Sequence, residues 1–270
     1  MLDIPSPVRE LAEDTLAYAP LRAGDRRLVR PGYVVSLGLT PGPRSTVISR
    51  LRLGPGEVAA TVAEIRALLR AEDRKSAHWE VGSSATPASL AEELTALGLQ
   101  PAAPPFQTTA GLVLPATPPA VGTLPDTVRI TRVTTREDFR RAQELYWHCF
   151  NFTPDAAAQA AVEVDFRRRT AGSTWLCYLA WRGEEAVGAA DAALTPSGVI
   201  MFGGATLPHA RGHGVYRALV WARWQEAVRR GTPYLITQAG ALSRPVLVRL
   251  GFVETAQIRN FVDSSFDCGV

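Results

Sequence analysis

The sequence predicts an α/β protein made of two similar halves, and three observations predict it. Apolar residues recur at helical spacing in two long runs, a β-rich segment follows each run, and helix, strand, loop and helix come in the same order at matching lengths in both halves. In the C-terminal half "YRALVWARWQEAVRRG" leads to "YLITQ", the loop "AGALS", the run "RPVLVRL" and the ending "GFVE". In the N-terminal half "EVAATVAEIRALLRAEDRKS" leads to "HWEVG", "SSATP", "ASLAEELTAL" and "GLQP". Each half continues into another candidate strand, "FQTTAGLVL" in the first and "AQIRNFVD" in the second.

Each element has a local warrant. The two long helices carry Val58, Val62, Ile65 and Leu68, and Leu219, Trp221, Trp224 and Val228, at spacings of three and four. Gly98 and Gly251 stand where a left-handed residue closes a helix. "AVGAADAALTPSGVIMFGGATL" reads as a hairpin of strands 186–194 and 199–207, turned at Thr195-Pro196-Ser197-Gly198. Gly203 and Gly204 fall in mid-strand, which marks a bulge or a close backbone approach. "TVRITRV" and "TWLCYLAW" read as further strands, with a helical region between them. The proline-rich stretch "LPATPPAVGTLPD" reads as an extended, poorly packed linker. It divides a first domain, 1–115, from a second, 127–270, across a linker at 116–126.

Composition bounds the function. The 270 residues are 46% hydrophobic and 20% charged, enough for one large domain or two modest ones. A net charge of +3, from 29 basic against 26 acidic residues, is too slight to imply a nucleic-acid partner. Cys149, Cys177 and Cys268 are odd in number and widely spaced, which indicates neither a disulfide framework nor a zinc site and fits a reducing cytoplasm. The N-terminus has no basic start followed by an apolar core, and no run approaches the ~18 apolar residues of a membrane span.

The stretch richest in chemistry is "PHARGHGVYRAL". A strand that splays at a bulge exposes N–H and C=O groups that must find partners, and a ligand with amide groups supplies them. The chain then enters a helix near Val215, whose first N–H groups point outward with the positive end of the helix dipole behind them. Gly212 and Gly214 remove side chains that would block close approach, and Arg211 and Arg217 add charge, so the loop reads as a pyrophosphate site. Read alone, so short a pattern as two glycines before a helix is a tight turn and nothing else. There is no G-K-[ST] phosphate loop, and Arg217 occupies the third glycine of a dinucleotide fingerprint. His209 and His213 are four apart, but the glycines between and after them argue against a helical metal pair.

Taken together, the segment 205–254 resembles the acetyl-CoA-binding core of the GNAT superfamily of N-acyltransferases: a strand, a P-x-x-R-G-x-G loop, a long helix, a strand, a loop with Ser, a short helix and L-G-F. The N-terminal half matches it only in element order. Opposite "RGHGVYRAL" it offers "GPGEVAATV", without the arginine or the G-x-G spacing, and so resembles a degenerate copy with a structural or dimer-forming role. The resemblance implies two tandem GNAT-like domains, each a mixed, mostly antiparallel sheet flanked by helices. It implies acetyl-CoA as co-substrate, no metal, and an amine acceptor. Ala205 and Thr206 would pair with the pantetheine arm; Arg211, Gly212, His213, Gly214, Val215 and Tyr216 would form the pyrophosphate loop; Ser243 would face the pantetheine and thiol. Two departures stand out. Tyr216 replaces the usual glycine or alanine, and Leu247 replaces the tyrosine that protonates the departing thiolate.

Acyl transfer to an amine needs a nitrogen lone pair and a stabiliser for the tetrahedral intermediate, here a backbone N–H near Thr206. Asp191, the one charge in the apolar strand "AVGAADAAL", is either a base made stronger by its surroundings or a residue that caps a backbone group or faces water. Ser243 either donates to the thiolate or caps the helix ahead of Pro245. Tyr146, Trp147, His148, Phe150 and Phe152 either line a pocket for a flat or apolar acceptor or pack a helix. "DFRRRT" either greets an acidic acceptor or is a solvated face. The reading reached is an acetyltransferase acting on a small-molecule amine, with a non-catalytic acyl-CoA-binding module and a protein N-acetyltransferase as alternatives, and with no nucleic-acid or membrane partner.

Overall fold

In the computed structural model residues 3–39, 45–115, 117–170, 172 and 174–264 are described; Ala116 and Cys268 lie outside them. The chain forms α1 (Ser6–Glu13), α2 (Thr15–Tyr18), β1 (Arg26–Val29), β2 (Val34–Leu37), β3 (Thr46–Ser49), α3 (Val58–Ala71), β4 (Ala77–Val81), α4 (Leu90–Ala96), β5 (Gln100–Pro101) and β6 (Thr108–Leu114). It continues through β7 (Val128–Arg132), α5 (Arg136–Cys149), α6 (Ala156–Thr170), β8 (Trp175–Arg182), β9 (Glu185–Thr195), β10 (Gly198–Thr206), α7 (Val215–Arg229), β11 (Leu235–Ala239), α8 (Arg244–Arg249) and β12 (Val253–Asp263). The mixed α/β architecture read from the sequence is the one observed, and α1 to β3 are elements that reading did not reach.

Contacts divide the chain into two compact units, and not along the linear boundary. The first unit gathers Ile4–Val113, Gln238–Val248 and the chain from Val253 on; the second consists mainly of Leu114–Thr237 and Arg249–Phe252. The reason is β12, which runs antiparallel to β4 from Arg259↔Val81 to Asp263↔Ala77 on one edge and to β6 from Val253↔Val113 to Arg259↔Thr108 on the other. Its last residue, Asp263, is fully buried and takes Arg66 Nε at 2.9 Å and NH2 at 3.0 Å on its two carboxylate oxygens. A domain spanning 127–270 therefore gives its last strand to the first unit.

In the first unit the strand order is β1-β2-β3-β4-β12-β6, with β5 also against β12. The core lies between this sheet and α3 and α4, around Ile48, Ile65, Leu69, Trp79, Leu90 and Leu94. In the second unit the order is β11-β10-β9-β8-β7. Phe139, Ala142 and Leu145 of α5 pack on Cys177, Leu179 and Ala189, whereas a Cβ on the neighbouring Gly188 would meet Val215 and Leu219 of α7. Adjacent strand residues point to opposite faces, so α5 and α7 cover opposite sides of the sheet.

Both units contain a parallel strand pair over two ladder positions, Val47↔His78 and Ile48↔Trp79 in the first, Val199↔Leu235 and Ile200↔Ile236 in the second. In each, a helix of 14 or 15 residues links the paired strands. The stripe read for α7 needs one correction. Val228 is 52% exposed, and the buried line runs through Leu219, Arg223 and Ala227, with Arg223 fully buried. The proline-rich stretch also differs from expectation. Pro115, Pro119 and Val121 are buried, Ala120 N–H donates to Leu250 O at 3.0 Å, and Val121 O accepts from Arg217 NH1 at 2.7 Å, so this segment is packed rather than loose.

Candidate functional site

The site is built in the second unit, where β10 parts from β11. Among the described residues ladder pairing between them ends at Ile200↔Ile236, and the Thr237 hydroxyl donates to Met201 O at 3.0 Å. On its other edge β10 follows β9 through Phe202↔Asp191, then slips, and resumes at Ala205↔Ala189 and Thr206↔Gly188. The slip is the bulge the glycine pair predicted, with φ of +60° at Gly203 and +126° at Gly204. Space demands glycine there as well. A Cβ on Gly203 would come within 2.9 Å of the Tyr146 ring, and one on Gly204 within 3.0 Å of the Tyr216 ring.

Past the bulge, Leu207 N–H donates to Val187 O at 2.9 Å, so the N–H and C=O of Thr206 point the other way, to the edge β11 has left. Side chains meet both groups. Thr206 O accepts from Arg211 Nε at 3.2 Å, and its N–H lies in hydrogen-bonding reach of the Cys149 thiol at the end of α5. Burial pushes that thiol above its ordinary pKa, against the opposing pull of Arg211.

A 3₁₀ turn, Pro208–Ala210, then carries the chain to the glycine loop. Gly212 has φ +80° and open space where a Cβ would stand; Gly214, at φ +79°, is the N-cap of α7. Ala218 N–H donates back to Gly214 O at 3.0 Å, so the amides of Val215, Tyr216 and Arg217 precede the first helical bond and have no acceptor within the helix. Arg217 is held over the loop by Val121 O, and Pro125 lies where a Cβ on Gly214 would come, at 2.9 Å. Tyr216 turns its ring back onto Gly204, and burial raises its hydroxyl pKa. His213 is exposed, and His209, also exposed, sits 3.3 Å from Glu185.

Of the two catalytic candidates, Asp191 is 5% exposed, on the α5 side of β9, and ion-paired with Arg169 of α6. The guanidinium lies 5.6 Å from the Phe139 ring centre and 5.7 Å from that of Trp175. Although burial pulls the Arg169 pKa down, the Asp191 charge more than offsets it and the net shift is upward. "DFRRRT" is therefore not simply a solvated face. Arg169 was hidden within that run, and the signal that points to it is the lone aspartate in an apolar strand, which needs a counter-charge. Ser243 immediately precedes α8 and its carbonyl accepts from Val246 and Leu247 N–H, as a residue opening a helix does. By contacts Ser243 belongs to the first unit, and Asp191 and the 205–216 loop to the second. Leu247 is buried core.

The aromatic group divides between the two roles. Tyr146 stands at the bulge and stacks on Phe150 at 6.1 Å, while Phe150 and Phe152 are 43% and 52% exposed. Trp175 and Phe202 stack at 5.3 Å beside it. Among the described residues no cluster of three or more His, Cys, Asp or Glu is placed to hold a metal ion, and no helix is long and apolar enough to cross a membrane.

No family model matches the chain, and no curated protein matches it in sequence. Solved structures do match its fold. A GCN5-related N-acetyltransferase from Kribbella flavida superposes with a TM-score of 0.68 at 20% identity, over 95% of each chain. A tandem GNAT protein from the clavulanic acid biosynthesis pathway, solved without acetyl-CoA, gives 0.60 at 18% identity, over 96% of this chain and 88% of its own. A functionally unknown conserved protein from Staphylococcus epidermidis gives 0.68 at 13% identity, over 89% and 94%. The chain thus has the two-domain fold of tandem GCN5-related N-acetyltransferases.

Proposed function

We propose that this protein is an acyl-CoA-dependent N-acyltransferase that moves an acetyl group from acetyl-CoA to an amine of a small molecule by direct attack of the nitrogen. The observation that carries the reading is one continuous path of backbone that, among the described residues, no strand covers: Thr206, whose N–H and C=O face away from β9 and meet the Cys149 thiol and Arg211, then the glycine loop, then the first-turn amides of α7, which have no acceptor within the helix. An extended amide-bearing arm suits the first part and a diphosphate the second. Gly212 supplies the clearance, and Arg211, Gly212, His213, Gly214, Val215 and Tyr216 line the anion end. The groups now on Thr206 do not forbid this, because a thiol is a weak acceptor that a ligand carbonyl displaces. In this reading the Thr206 N–H turns to the thioester oxygen, and the first unit is a repeat that carries no cofactor loop.

Small-molecule specificity rests on the aromatic walls, Trp175 on Phe202 and Tyr146 on Phe150, beside the bulge. A second reading, a non-catalytic acyl-CoA-binding module, is favoured by one observation: Asp191 is taken up by Arg169, so it is not a free base. Calorimetry with coenzyme A tests what both readings share, and thiol release from acetyl-CoA across an amine panel separates them. Uptake of coenzyme A with acceptor-dependent release supports the enzyme; uptake without release supports the module; no uptake sinks both.

A further inference from the structure

At Leu247, where the resemblance implies a tyrosine that serves the departing sulfur, this chain has a buried core residue. A different hydroxyl stands at the bulge of β10. Tyr146, on the α5 face, reaches the bulge so closely that a Cβ on Gly203 would lie 3.0 Å from its oxygen. That oxygen is shielded from solvent and has no hydrogen-bond partner among the described residues. Leaving a buried hydroxyl unpaired is costly, so its retention needs a reason. Gly203 itself is exposed, so the hydroxyl points at a place a ligand can reach. The bulge also follows closely on the contact of β10 with the Thr237 hydroxyl of β11, which donates to Met201 O.

Resting on the acyltransferase reading above, we propose that the Tyr146 hydroxyl is the hydrogen-bond donor to the thioester sulfur, taking the place of the residue missing at Leu247. The acceptor nitrogen's lone pair forms the C–N bond, the C–S bond breaks with its electron pair on sulfur, and the proton that nitrogen sheds reaches the sulfur through water. Tyr146 keeps its own proton throughout. Burial first, and the charge of Asp191 second, hold its pKa well above the ordinary tyrosine range, which suits a group that donates without dissociating. A hydrogen bond to an anionic sulfur is stronger than one to a thiol, so the contact favours the later stage of the reaction.

The test is Tyr146→Phe, which preserves the ring, its stacking on Phe150 and its fit against Gly203. Coenzyme A and desulfo-coenzyme A are titrated into both proteins by calorimetry, and the bound thiol is titrated through its ultraviolet thiolate absorbance. The proposal expects equal affinity of both proteins for desulfo-coenzyme A, and a bound thiol more acidic in the wild type by about one pH unit, a tenfold difference. Turnover with a reactive amine should fall on the order of 100-fold in kcat at nearly constant KM, the size expected when one preorganised donor is lost. Identical thiol titrations in the two proteins overturn the proposal. So does a matching loss of desulfo-coenzyme A binding, which would mark the hydroxyl as structural. If the wild type takes up neither compound, the acyltransferase reading itself has failed.

Discussion

The two units begin the same construction and finish it differently. Each pairs two strands in parallel over two positions and then lets the first of them run on. In the second unit that strand bulges at Gly203 and Gly204, and among the described residues no strand pairs with its outer edge beyond the bulge. In the first unit the same gap is closed by the chain itself. Leu53 N–H donates to Thr86 O and Thr86 N–H to Leu51 O, while Arg50 N–H donates to Asp14 Oδ1 at 2.8 Å. Glu13 accepts from Ser84 N–H and Ser84 Oγ, both at 2.7 Å, and a Cβ on Gly82 would collide with its carboxylate. The fold thus survives with or without the opening, because the core behind it supplies the stability. A cofactor cleft depends on what the chain leaves unpaired.

The comparison breaks most severely at the buried ion pairs, one in each unit. Arg66–Asp263 and Arg169–Asp191 each join a largely buried guanidinium to a buried carboxylate. Removing one partner strands the other, so Arg66→Ala and Arg169→Ala should each cost about 3–5 kcal/mol in urea unfolding. The pairs should then diverge. Arg169→Met with Asp191→Leu should recover most of the stability and leave coenzyme A affinity unchanged, because the pair lies on the α5 side of the sheet rather than at the α7 loop. A fall in affinity without loss of folding would instead make the pair part of the cofactor site.

Acidic closure of the first unit gives it a pH dependence of its own. Burial pushes Asp14 up to about 6, with Arg50 N–H opposing and Glu13 adding to it, and pushes Glu80 up to about 7 despite the hydrogen bond from Gln238. Arg52 faces Glu13 and Asp14 at 3.6 Å, and Gln238 Nε2 also donates to Glu13 O. Both shifts are upward, so the folded chain holds protons that the unfolded chain has released. Their contribution is complete below about pH 4 and is lost as the pH rises through 6 and 7. At about 1.4 kcal/mol per pH unit the loss is roughly 3 kcal/mol for each group at most. Hydrogen exchange should therefore show the β4 and α1 peptides opening more readily at pH 8 than at pH 5. Glu80→Gln should flatten the upper part of that trend; an unchanged profile would remove Glu80 from the account.

Glycine sharpens the contrast at smaller scale. Gly214 holds φ +79° with Pro125 2.9 Å from where a Cβ would stand, whereas a Cβ on Gly54, in the matching segment of the first unit, meets only the movable Glu57 side chain. Gly214→Ala should cost about 1–3 kcal/mol and weaken coenzyme A binding. Gly54→Ala should change neither by a measurable amount. Equal losses in calorimetry and thermal melting would mean the loop is only a turn.

These contrasts also show what the sequence disclosed. The bulge and the helix entry were legible because glycine at a strand centre and glycine before a helix each have few physical explanations. Repeated element order was legible because periodicity is local. The destination of β12 was not, since "AQIRNFVD" pairs with strands as distant as β6 (Ala256↔Gly111) and β4 (Asp263↔Ala77) and nothing in its own pattern names them. Arg223 was missed because it lies on the apolar face of α7, where a charged residue reads as a gap in the stripe while Val228 reads as its continuation. The plug of Glu13 and Asp14 was missed for a different reason. An acidic pair in "RELAED" looks solvated until the cleft it enters is known.

The slightest expected effect is chemical rather than energetic, and it addresses the open edge directly. Cys149 is part-exposed beside Thr206 N–H, whereas Cys177 is buried under α5. A thiol whose pKa is raised by burial alkylates slowly, because the thiolate is the reactive form. Iodoacetamide should thus modify Cys149 slowly and Cys177 hardly at all when labelling is read peptide by peptide. Coenzyme A that lies along Ala205 and Thr206 must cover or displace that thiol, so saturating ligand should change the rate at Cys149 and leave Cys177 as it was. Protection places the arm on the edge β11 leaves free; acceleration means the ligand has taken the Thr206 N–H and released the sulfur. A rate at Cys149 indifferent to bound coenzyme A would show that the arm lies elsewhere, and the opening in the second unit would then differ from the closed one in the first without that difference serving the ligand.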